Sequence, residues 1–248
     1  MEKPNYQLVI LFIFIFIFIL YQLVYYNPNY KVDDTKSELY KYIPNKYLFY
    51  YKIINKEKDL INVKYPVVMK PDDGYCGINV KLFKTAKKAI SFFRQNKKKY
   101  VVQEYHPGPY EIGLYYIRLP YKKNGYIRTI VSKKNYKLIK TEKWEPLMCA
   151  TSTSCERRNK WITQKLTKVI DKISKNIPNF YIGRYDIRFS NINDLKNGKN
   201  FMILELNTTN ASPTISNLQN YKYSSYQILK YRLLRFYIAI LTRIFYYT

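Results

Sequence analysis

The chain has 248 residues, with 43 Lys and Arg against 17 Asp and Glu, and its formal net charge is +26. Such a charge is typical of proteins that bind polyanions. Lysine, asparagine, isoleucine and tyrosine are all abundant, however, while glycine occurs only seven times. AT-rich coding would impose this bias on any protein, so we do not expect nucleic acid as a partner. The three cysteines and the single histidine have no metal-binding spacing, which argues against a zinc site.

An apolar segment lies near the start of the chain. Residues 8–26 carry no charge over nineteen positions, which is long enough to cross a bilayer as a helix. No small-residue cleavage site follows, and the flanking lysines lie almost all on the C-terminal side. We therefore predict a retained signal anchor in the lipid bilayer and a single-pass membrane protein, with the rest of the chain in the cytoplasm.

The next informative stretch is typical of a phosphate-binding loop. Tyr65–Lys70 is predicted as a buried strand that ends at Lys70, and the loop P-D-D-G-Y-C-G follows. Backbone N–H groups of a glycine-containing loop can approach phosphate oxygens while a lysine supplies positive charge. The alternative is an ordinary tight hairpin with an exposed lysine.

Two acidic residues flank a predicted hinge. A strand over Tyr100–Tyr105 breaks at His106–Pro109, and a second strand follows over Tyr110–Leu119. Glu104 and Glu111 are seven residues apart, one on each side of this hinge. Such a pair is placed to meet the two ends of a nucleoside, the exocyclic amine of the base and the ribose hydroxyls.

Three further elements are predicted downstream. Gly125–Lys134 alternates as a strand and projects Lys133 or Lys134. Trp161–Ile177 has an apolar stripe typical of a helix packed behind the sheet. Tyr226–Tyr247 is apolar but contains several basic residues, and each central arginine would cost about 2.5–3.5 kcal/mol in a bilayer. We therefore predict a covering helix there rather than a second membrane span.

The stretch 181–207 places acids where a strand would be expected to be apolar. With a two-residue period, Arg184 and Asp186 share one face of the first strand. The residues predicted to share one face of the second strand are Phe201, Ile203, Glu205 and Asn207. Pairing of the two strands would bring Asp186 close to Glu205 and Asn207, and oxygen ligands of this kind suit Mg²⁺. The alternative is a half-exposed hairpin with one polar face.

Four motifs together resemble the ATP-grasp superfamily, especially its D-alanine–D-alanine ligase-like and carboxylate–amine ligase-like members. They are V-V-M-K-P-D-D-G-Y-C-G, V-V-Q-E-Y-H-P-G-P-Y-E-I-G, G-R-Y-D-I-R-F and I-L-E-L-N-T-T-N. The resemblance implies an α+β, ATP-grasp fold, in which two α+β subdomains hold ATP between antiparallel sheets, here behind an N-terminal transmembrane helix. The predicted organisation is a short tail (1–7), the signal anchor (8–26), a reduced N-terminal segment (27–64), the ATP-grasp core (65–219) and a C-terminal covering helix (220–248).

The resemblance also implies roles for individual residues. Lys36 and Lys70 would hold the phosphates of ATP, Glu104 and its neighbours would grip adenine, and Glu111 would bind the ribose. The residues implied to contact the nucleotide are Lys36, Lys70, Asp73, Gly74, Gly77, Gln103, Glu104, Tyr105 and Glu111. The implied ligands of Mg²⁺, expected as two ions, are Asp186, Glu205 and Asn207. The implied catalytic residues are Arg184, which would face an acyl-phosphate, and Lys133, which would face the γ-phosphate.

Enzymes of this kind phosphorylate a small carboxylate and let an amine displace the phosphate, so the resemblance implies an amide- or peptide-forming ligase. The sequence departs from the family pattern at Cys76, where relatives often carry arginine, and at Ala211, where we would expect glycine. The lobe before the grasp fold is also short. These departures leave open a binding module without turnover, and a kinase for a small polyol would share the same nucleotide half.

Overall fold

The computed structural model contains two antiparallel sheets and the helices that cover them. The described residues are 6–25, 33–74, 78–133, 155–208 and 225–247. The first sheet has the strand order β1-β4-β2-β3, and its strands are β1 (Tyr51–Ile54), β2 (Val67–Pro71), β3 (Lys81–Phe83) and β4 (Tyr100–Glu104). The second sheet has the order β7-β6-β5-β8-β9, and its strands are β5 (Tyr110–Ile117), β6 (Tyr126–Lys133), β7 (Cys155–Arg157), β8 (Ile182–Phe189) and β9 (Phe201–Asn207).

Seven α-helices occur within the described ranges. They are α1 (Tyr6–Tyr25), α2 (Lys36–Leu39), α3 (Asn45–Leu48), α4 (Ala86–Gln95), α5 (Gln164–Asn176), α6 (Ile192–Lys196) and α7 (Ser225–Tyr247). Helix α5 starts three residues later than the apolar stripe suggests, because Trp161 belongs to a 3₁₀ turn and Thr163 caps the helix by accepting a hydrogen bond from the Leu166 amide.

The first sheet and α4 form a small lobe with its own core. Every residue of β2, V-V-M-K-P, is buried, because this strand lies between β4 and β3 inside the sheet. Helix α4 is amphipathic and buries Ala89, Phe92 and Phe93 against the inward side chains of this sheet. The lobe therefore holds the end of β2, where Lys70 lies, in a fixed position.

The second sheet forms a larger lobe with helices on both faces. Helix α5 buries Leu166, Ile170 and Ile173 in the main core on one face. On the other face α7 contributes Ile238, which packs with Ile117 and Ile182 at one end of β5 and β8. Toward the other end of β5 and β8, the same face carries polar side chains, among them those of Glu111, Asp186 and Arg188.

A β-bulge changes which side chains of β9 face the core. Asp186 lies opposite Glu205, but the next residue of β8, Ile187, lies opposite Ile203, so Leu204 is the extra residue. Phe201 and Ile203 are consequently part of the main core. The prediction that these two share a face with Glu205 and Asn207 is therefore wrong, because one inserted residue reverses the alternation of a strand.

The predicted membrane localisation is also wrong. Among the described residues, no helix has both the length and the hydropathy that crossing a bilayer requires. This finding contradicts a single-pass membrane protein with a cytoplasmic catalytic domain and leaves the signal anchor at 8–26 unsupported.

Candidate functional site

Polar residues occur in register on neighbouring strands of the second sheet. The antiparallel pairing of β5 with β8 sets Glu111 opposite Arg188. Two residues before Arg188, Asp186 lies opposite Gly113. Tyr115 lies opposite Arg184, two residues further again. Because residues i and i+2 of a strand share a face, these positions line one surface in a fixed order. The four residue steps from Arg188 to Arg184 span about 13 Å at about 3.3 Å per residue.

Two carboxylates and an amide meet in the middle of this surface. The pairing of β8 with β9 sets Asp186 opposite Glu205 and Arg184 opposite Asn207. Arg184 donates to both oxygens of Asp186, from Nε at 2.9 Å and from a terminal nitrogen at 3.2 Å. Asn207 Nδ2 donates to Asp186 Oδ2 at 3.4 Å. Like charges on adjacent strands repel each other, so Arg184 compensates one of the two acids.

Lys36 compensates the other acid from a separate element. Its Nζ lies 3.2 Å from Glu205 Oε1 and also donates to the carbonyl oxygen of Gly74, and the lysine is 6% exposed. Lys36 is the first residue of α2. The contact with Gly74 brings the start of the predicted phosphate loop against the acidic pair.

Asp72 fixes α2, and thereby Lys36, in place. Its carboxylate accepts from the backbone N–H and the hydroxyl of Ser37, both at 2.7 Å, and pairs with Lys99 Nζ at 2.8 Å. Burial acts to raise the pKa of Asp72, but the hydrogen bonds from Lys99 and Ser37 outweigh it and hold the pKa below its ordinary value. Asp72 is therefore ionised and ties the small lobe to the helix that carries Lys36.

Lys70 crosses from the small lobe to β9. Its Nζ donates to the carbonyl oxygen of Leu204 at 2.5 Å and to Gln103 Oε1 at 2.7 Å. The Leu204 carbonyl also accepts from the Tyr40 hydroxyl at 2.6 Å. A bulge disrupts the hydrogen bonds between strands around its extra residue, here Leu204. The Leu204 carbonyl oxygen accepts hydrogen bonds from the side chains of Lys70 and Tyr40 instead. Burial lowers the pKa of Lys70 to about 7, and Glu205 opposes that effect only in part.

A buried ion pair occupies the hinge end of the surface. Arg188 lies 2.6 Å from Glu111, with side-chain exposures of 1% and 7%, and it also donates to the carbonyl oxygen of His106 at 3.2 Å. One carboxylate oxygen of Glu111 is thus engaged by the guanidinium. The predicted contact of Glu111 with ribose hydroxyls stays a prediction.

The remaining nucleotide residues surround this hinge. Gln103 is 1% exposed and donates from Nε2 to the carbonyl oxygens of Leu48 and Ile203 at 3.1 and 2.9 Å, so both of its N–H groups are used inside the protein. Glu104 is exposed and Tyr105 is half-buried. The grip of these residues on adenine stays a prediction.

Several predicted positions are only partly within the described residues. Asp73 is exposed next to Gly74, and an added Cβ at Gly74 would come within 2.9 Å of Pro71 Cβ, so the turn requires glycine. Gly77, Cys76 and Ala211 lie outside the described residues. Lys133 ends β6 and its backbone pairs with Cys155, but its side chain is outside the described part.

The donor set fits magnesium that arrives with a triphosphate. In the described part of the chain there is no group of three or more His, Cys, Asp or Glu placed to hold a metal ion. Asp186, Glu205 and Asn207 instead provide two carboxylates and an amide. Mg²⁺ is commonly held by one or two carboxylates together with substrate phosphates. Lys36 lies beside Glu205, and Lys70 donates to the carbonyl oxygen of the preceding residue, Leu204.

Three residues organise the site in ways that the sequence interpretation did not predict: it gave no role to Arg188 or Ser37, and it placed Asp72 only in the loop over the phosphates. Arg188 shares the face of Asp186 in the two-residue period, but its partner Glu111 is 77 residues away. Asp72 and Ser37 are 35 residues apart. Period and motif show the face or loop on which such residues lie, whereas only the pairing of distant elements shows what they contact.

Neither a family model nor a curated protein matches the sequence. The structure is similar to D-cycloserine synthetase DcsG (TM-score 0.54, 14% identity, 90% of this chain and 71% of that one). It is also similar to VanG D-Ala:D-Ser ligase from Enterococcus faecalis (0.51, 16%, 82% and 61%) and to an L-amino acid ligase from Bacillus licheniformis (0.51, 15%, 74% and 42%). The chain thus spans less than two thirds of the last two. At these identities the similarity shows the fold, and the predicted ATP-grasp resemblance is confirmed at that level.

Proposed function

We propose that this chain is a Mg²⁺- and ATP-dependent ligase that activates a small carboxylate as an acyl-phosphate and joins it to an amine. The observation that carries the proposal is the meeting of Asp186, Glu205 and Lys36 in the middle of the surface shared by β5 and β8. These residues come from three separate parts of the chain. A purely structural polar patch would not require two opposed carboxylates beside a buried lysine.

The order of residues along the surface supports one orientation for ATP. The nucleoside would lie at the hinge end, near Glu111 and Arg188, and the phosphates would extend toward Asp186. Lys36 and Lys70 would bind phosphate oxygens in place of their present partners, Glu205 and the Leu204 carbonyl. The released carboxylate of Glu205, with Asp186 and Asn207, would hold Mg²⁺, which neutralises charge on the transferring phosphoryl group.

The chemistry needs no protein nucleophile. A carboxylate oxygen of the substrate attacks the γ-phosphorus, the bond to the β-γ bridging oxygen breaks, and ADP leaves. The amine then attacks the carbonyl carbon of the acyl-phosphate, inorganic phosphate leaves, and the amine loses a proton to solvent. Arg184 would stabilise the negative charge that develops on the acyl-phosphate and on its tetrahedral adduct. Lys133 is proposed to face the γ-phosphate from β6.

The fold relatives suggest which substrates to try first. Their names describe a D-Ala:D-Ser ligase, an L-amino acid ligase and a D-cycloserine synthetase. We therefore propose amino acids as the first carboxylate and amine substrates to test. The expected result is release of phosphate from Mg·ATP that depends on one or a pair of these compounds. The proposal fails if the purified chain does not bind Mg·ATP at millimolar concentration.

Variants of the acidic pair test the assigned roles. Asp186→Asn and Glu205→Gln should each lower phosphate release by about 100-fold or more, the order seen when a group that stabilises transition-state charge is removed. The matched control is Glu57→Gln, because Glu57 forms an exposed pair with Arg94 and its loss should leave the rate unchanged. Equal rates in Glu205→Gln and Glu57→Gln would contradict the metal role.

Trapping distinguishes a ligase from a small-molecule kinase. Hydroxylamine attacks an acyl-phosphate and yields a hydroxamate, whereas it does not react in this way with a phosphorylated alcohol. We expect hydroxamate to form in proportion to ADP when the amine substrate is left out. ADP release without hydroxamate would support the kinase instead.

A further inference from the structure

The bulge in β9 leaves one backbone carbonyl with two side-chain donors. Leu204 is the extra residue, and its carbonyl oxygen accepts from Lys70 Nζ at 2.5 Å and from the Tyr40 hydroxyl at 2.6 Å. A backbone carbonyl oxygen has two lone pairs, so these two bonds use its full capacity. All three residues are buried. The carbonyl therefore depends on these side chains rather than on solvent.

The direction of this carbonyl matters because the next residue is Glu205. A peptide unit is planar, so the Leu204 carbonyl and the Glu205 N–H turn together. Glu205 lies opposite Asp186 across the strands, and its carboxylate is 3.2 Å from Lys36. A rotated peptide unit would redirect this side chain. The donors that fix the carbonyl therefore also fix the acid assigned to Mg²⁺.

The two donors differ in what nucleotide binding does to them. In the proposed function Lys70 leaves the carbonyl for a phosphate oxygen. Tyr40 is an uncharged phenol that is 1% exposed, and its ring meets the Tyr51 ring edge to face with centroids 5.3 Å apart. These contacts hold the phenol in place, so its hydroxyl remains as the donor to the carbonyl after Lys70 has left.

The phenol keeps its proton over the range in which Lys70 titrates. Burial, and after it the negative charge of Glu205, raises the pKa of Tyr40 well above its ordinary value. The pKa of Lys70 is lowered to about 7 by its burial. The Tyr40 hydroxyl is therefore a donor at every pH near neutrality, whether Lys70 is charged or not.

We propose that Tyr40 is a positioning residue that holds the Leu204 carbonyl, and with it Glu205, in place when Lys70 moves to the phosphates. The inference rests on the proposed function for the departure of Lys70, whereas the shared carbonyl belongs to the nucleotide-free chain. Tyr40 acts through the backbone of β9 and does not itself contact the substrate. It is 164 residues away from Leu204 along the chain, so only the fold brings the two together.

The first test is a double-mutant cycle without nucleotide. Tyr40→Phe keeps the ring and removes the hydroxyl. In the unaltered chain Lys70 still donates to the carbonyl, whereas in Lys70→Met the same change leaves a buried acceptor without either donor. Tyr40→Phe should therefore lower the melting temperature at least about twice as much in Lys70→Met as in the unaltered chain. Equal decreases would overturn the proposal, because the effects of independent sites add.

The second test measures Mg·ATP affinity by calorimetry and needs only the single variant. Tyr40→Phe should weaken Mg·ATP binding about tenfold, because the carbonyl has lost both donors in the bound state but only one in the nucleotide-free state. A purely structural role would lower the melting temperature and leave the affinity for Mg·ATP unchanged. Unchanged affinity in Tyr40→Phe would therefore overturn the proposal even if the double variant does not fold.

The matched control removes another buried hydroxyl. The Tyr116 hydroxyl donates to Asp171 at 2.7 Å in the core beneath α5. Tyr116→Phe should lower the melting temperature by the same amount with and without Lys70→Met and should leave Mg·ATP affinity within about twofold. An equal loss of affinity in Tyr116→Phe and Tyr40→Phe would contradict a specific role for Tyr40.

The outcomes also separate this role from the proposed function. If the unaltered chain binds no Mg·ATP, the ligase proposal fails, and the double-mutant cycle still shows whether Lys70 and Tyr40 share the carbonyl. If the unaltered chain binds Mg·ATP and Tyr40→Phe binds it equally well, only the role of Tyr40 is contradicted.

Discussion

The affinity for Mg·ATP should follow the titration of Lys70. Burial lowers the pKa of this lysine from 10.5 to about 7, against the partial opposition of Glu205. Only the protonated ammonium pairs strongly with a phosphate oxygen. Above pH 7 each pH unit therefore costs about 1.4 kcal/mol, or tenfold in affinity. Because Lys70 is half protonated at pH 7 and about one-hundredth protonated at pH 9, the affinity should fall by about 50-fold between these two pH values.

Binding should also be accompanied by proton uptake. At pH 8 a group with a pKa of about 7 is about one-tenth protonated, and pairing with the triphosphate restores the proton. We expect about 0.9 protons to be taken up per ATP at pH 8 and about 0.1 at pH 6. The assay is isothermal titration calorimetry of Mg·ATP in two buffers with different ionisation enthalpies at each pH.

The control variant is Lys70→Met, which removes the titrating group. It should bind Mg·ATP weakly at every pH, with no proton uptake at pH 8. In the unaltered chain, uptake below about 0.2 protons at pH 8 would refute the reasoning, because Lys70 would then already be charged in the free protein.

The stability of the chain provides an independent check on the same pKa. In the unfolded chain Lys70 keeps its proton up to about pH 10, whereas in the folded chain it loses the proton near pH 7. Between these values the unfolded state binds more protons, so the contribution of Lys70 to the free energy of unfolding rises with pH. Denaturant titrations should show this rise in the unaltered chain relative to Lys70→Met.

Two further predictions concern the frame of the site. Arg188→Met leaves Glu111 buried without that cation and should cost about 3–5 kcal/mol in urea denaturation; adding Glu111→Gln should recover most of it, and equal losses in the single and double variants would contradict the pair. Gly183→Ala sets a Cβ within 2.9 Å of the Asn207 backbone oxygen and should cost about 1–3 kcal/mol of stability, measured as a lower melting temperature. The control is Ser190→Ala at an exposed position. Equal melting temperatures of the two variants would show that the strand adjusts without cost.

The alternation of residues in β8 was enough to find the acidic face. Arg184 and Asp186 occupy every second position, and a strand directs such positions to the same side whatever surrounds it. The order of the lysine, hinge and acid motifs also indicated the ATP-grasp fold. The apolar periods predicted helices over the stretches that contain α5 and α7.

Other features depended on contacts between distant parts of the chain. The bulge at Leu204 arises where β9 pairs with β8, and it leaves a carbonyl that binds Lys70 and Tyr40. The Glu111 to Arg188 pair depends on the pairing of β5 with β8. The membrane prediction relied on the composition of residues 8–26 and was contradicted.

The sequence by itself determined which residues share a face, because the direction of a side chain follows from the local backbone geometry of a strand or helix. It also determined the overall excess of basic over acidic residues. Only the tertiary structure decided which faces meet and which charges are buried. Those outcomes depend on the register between strands and on desolvation, and both are set by residues far apart in the chain.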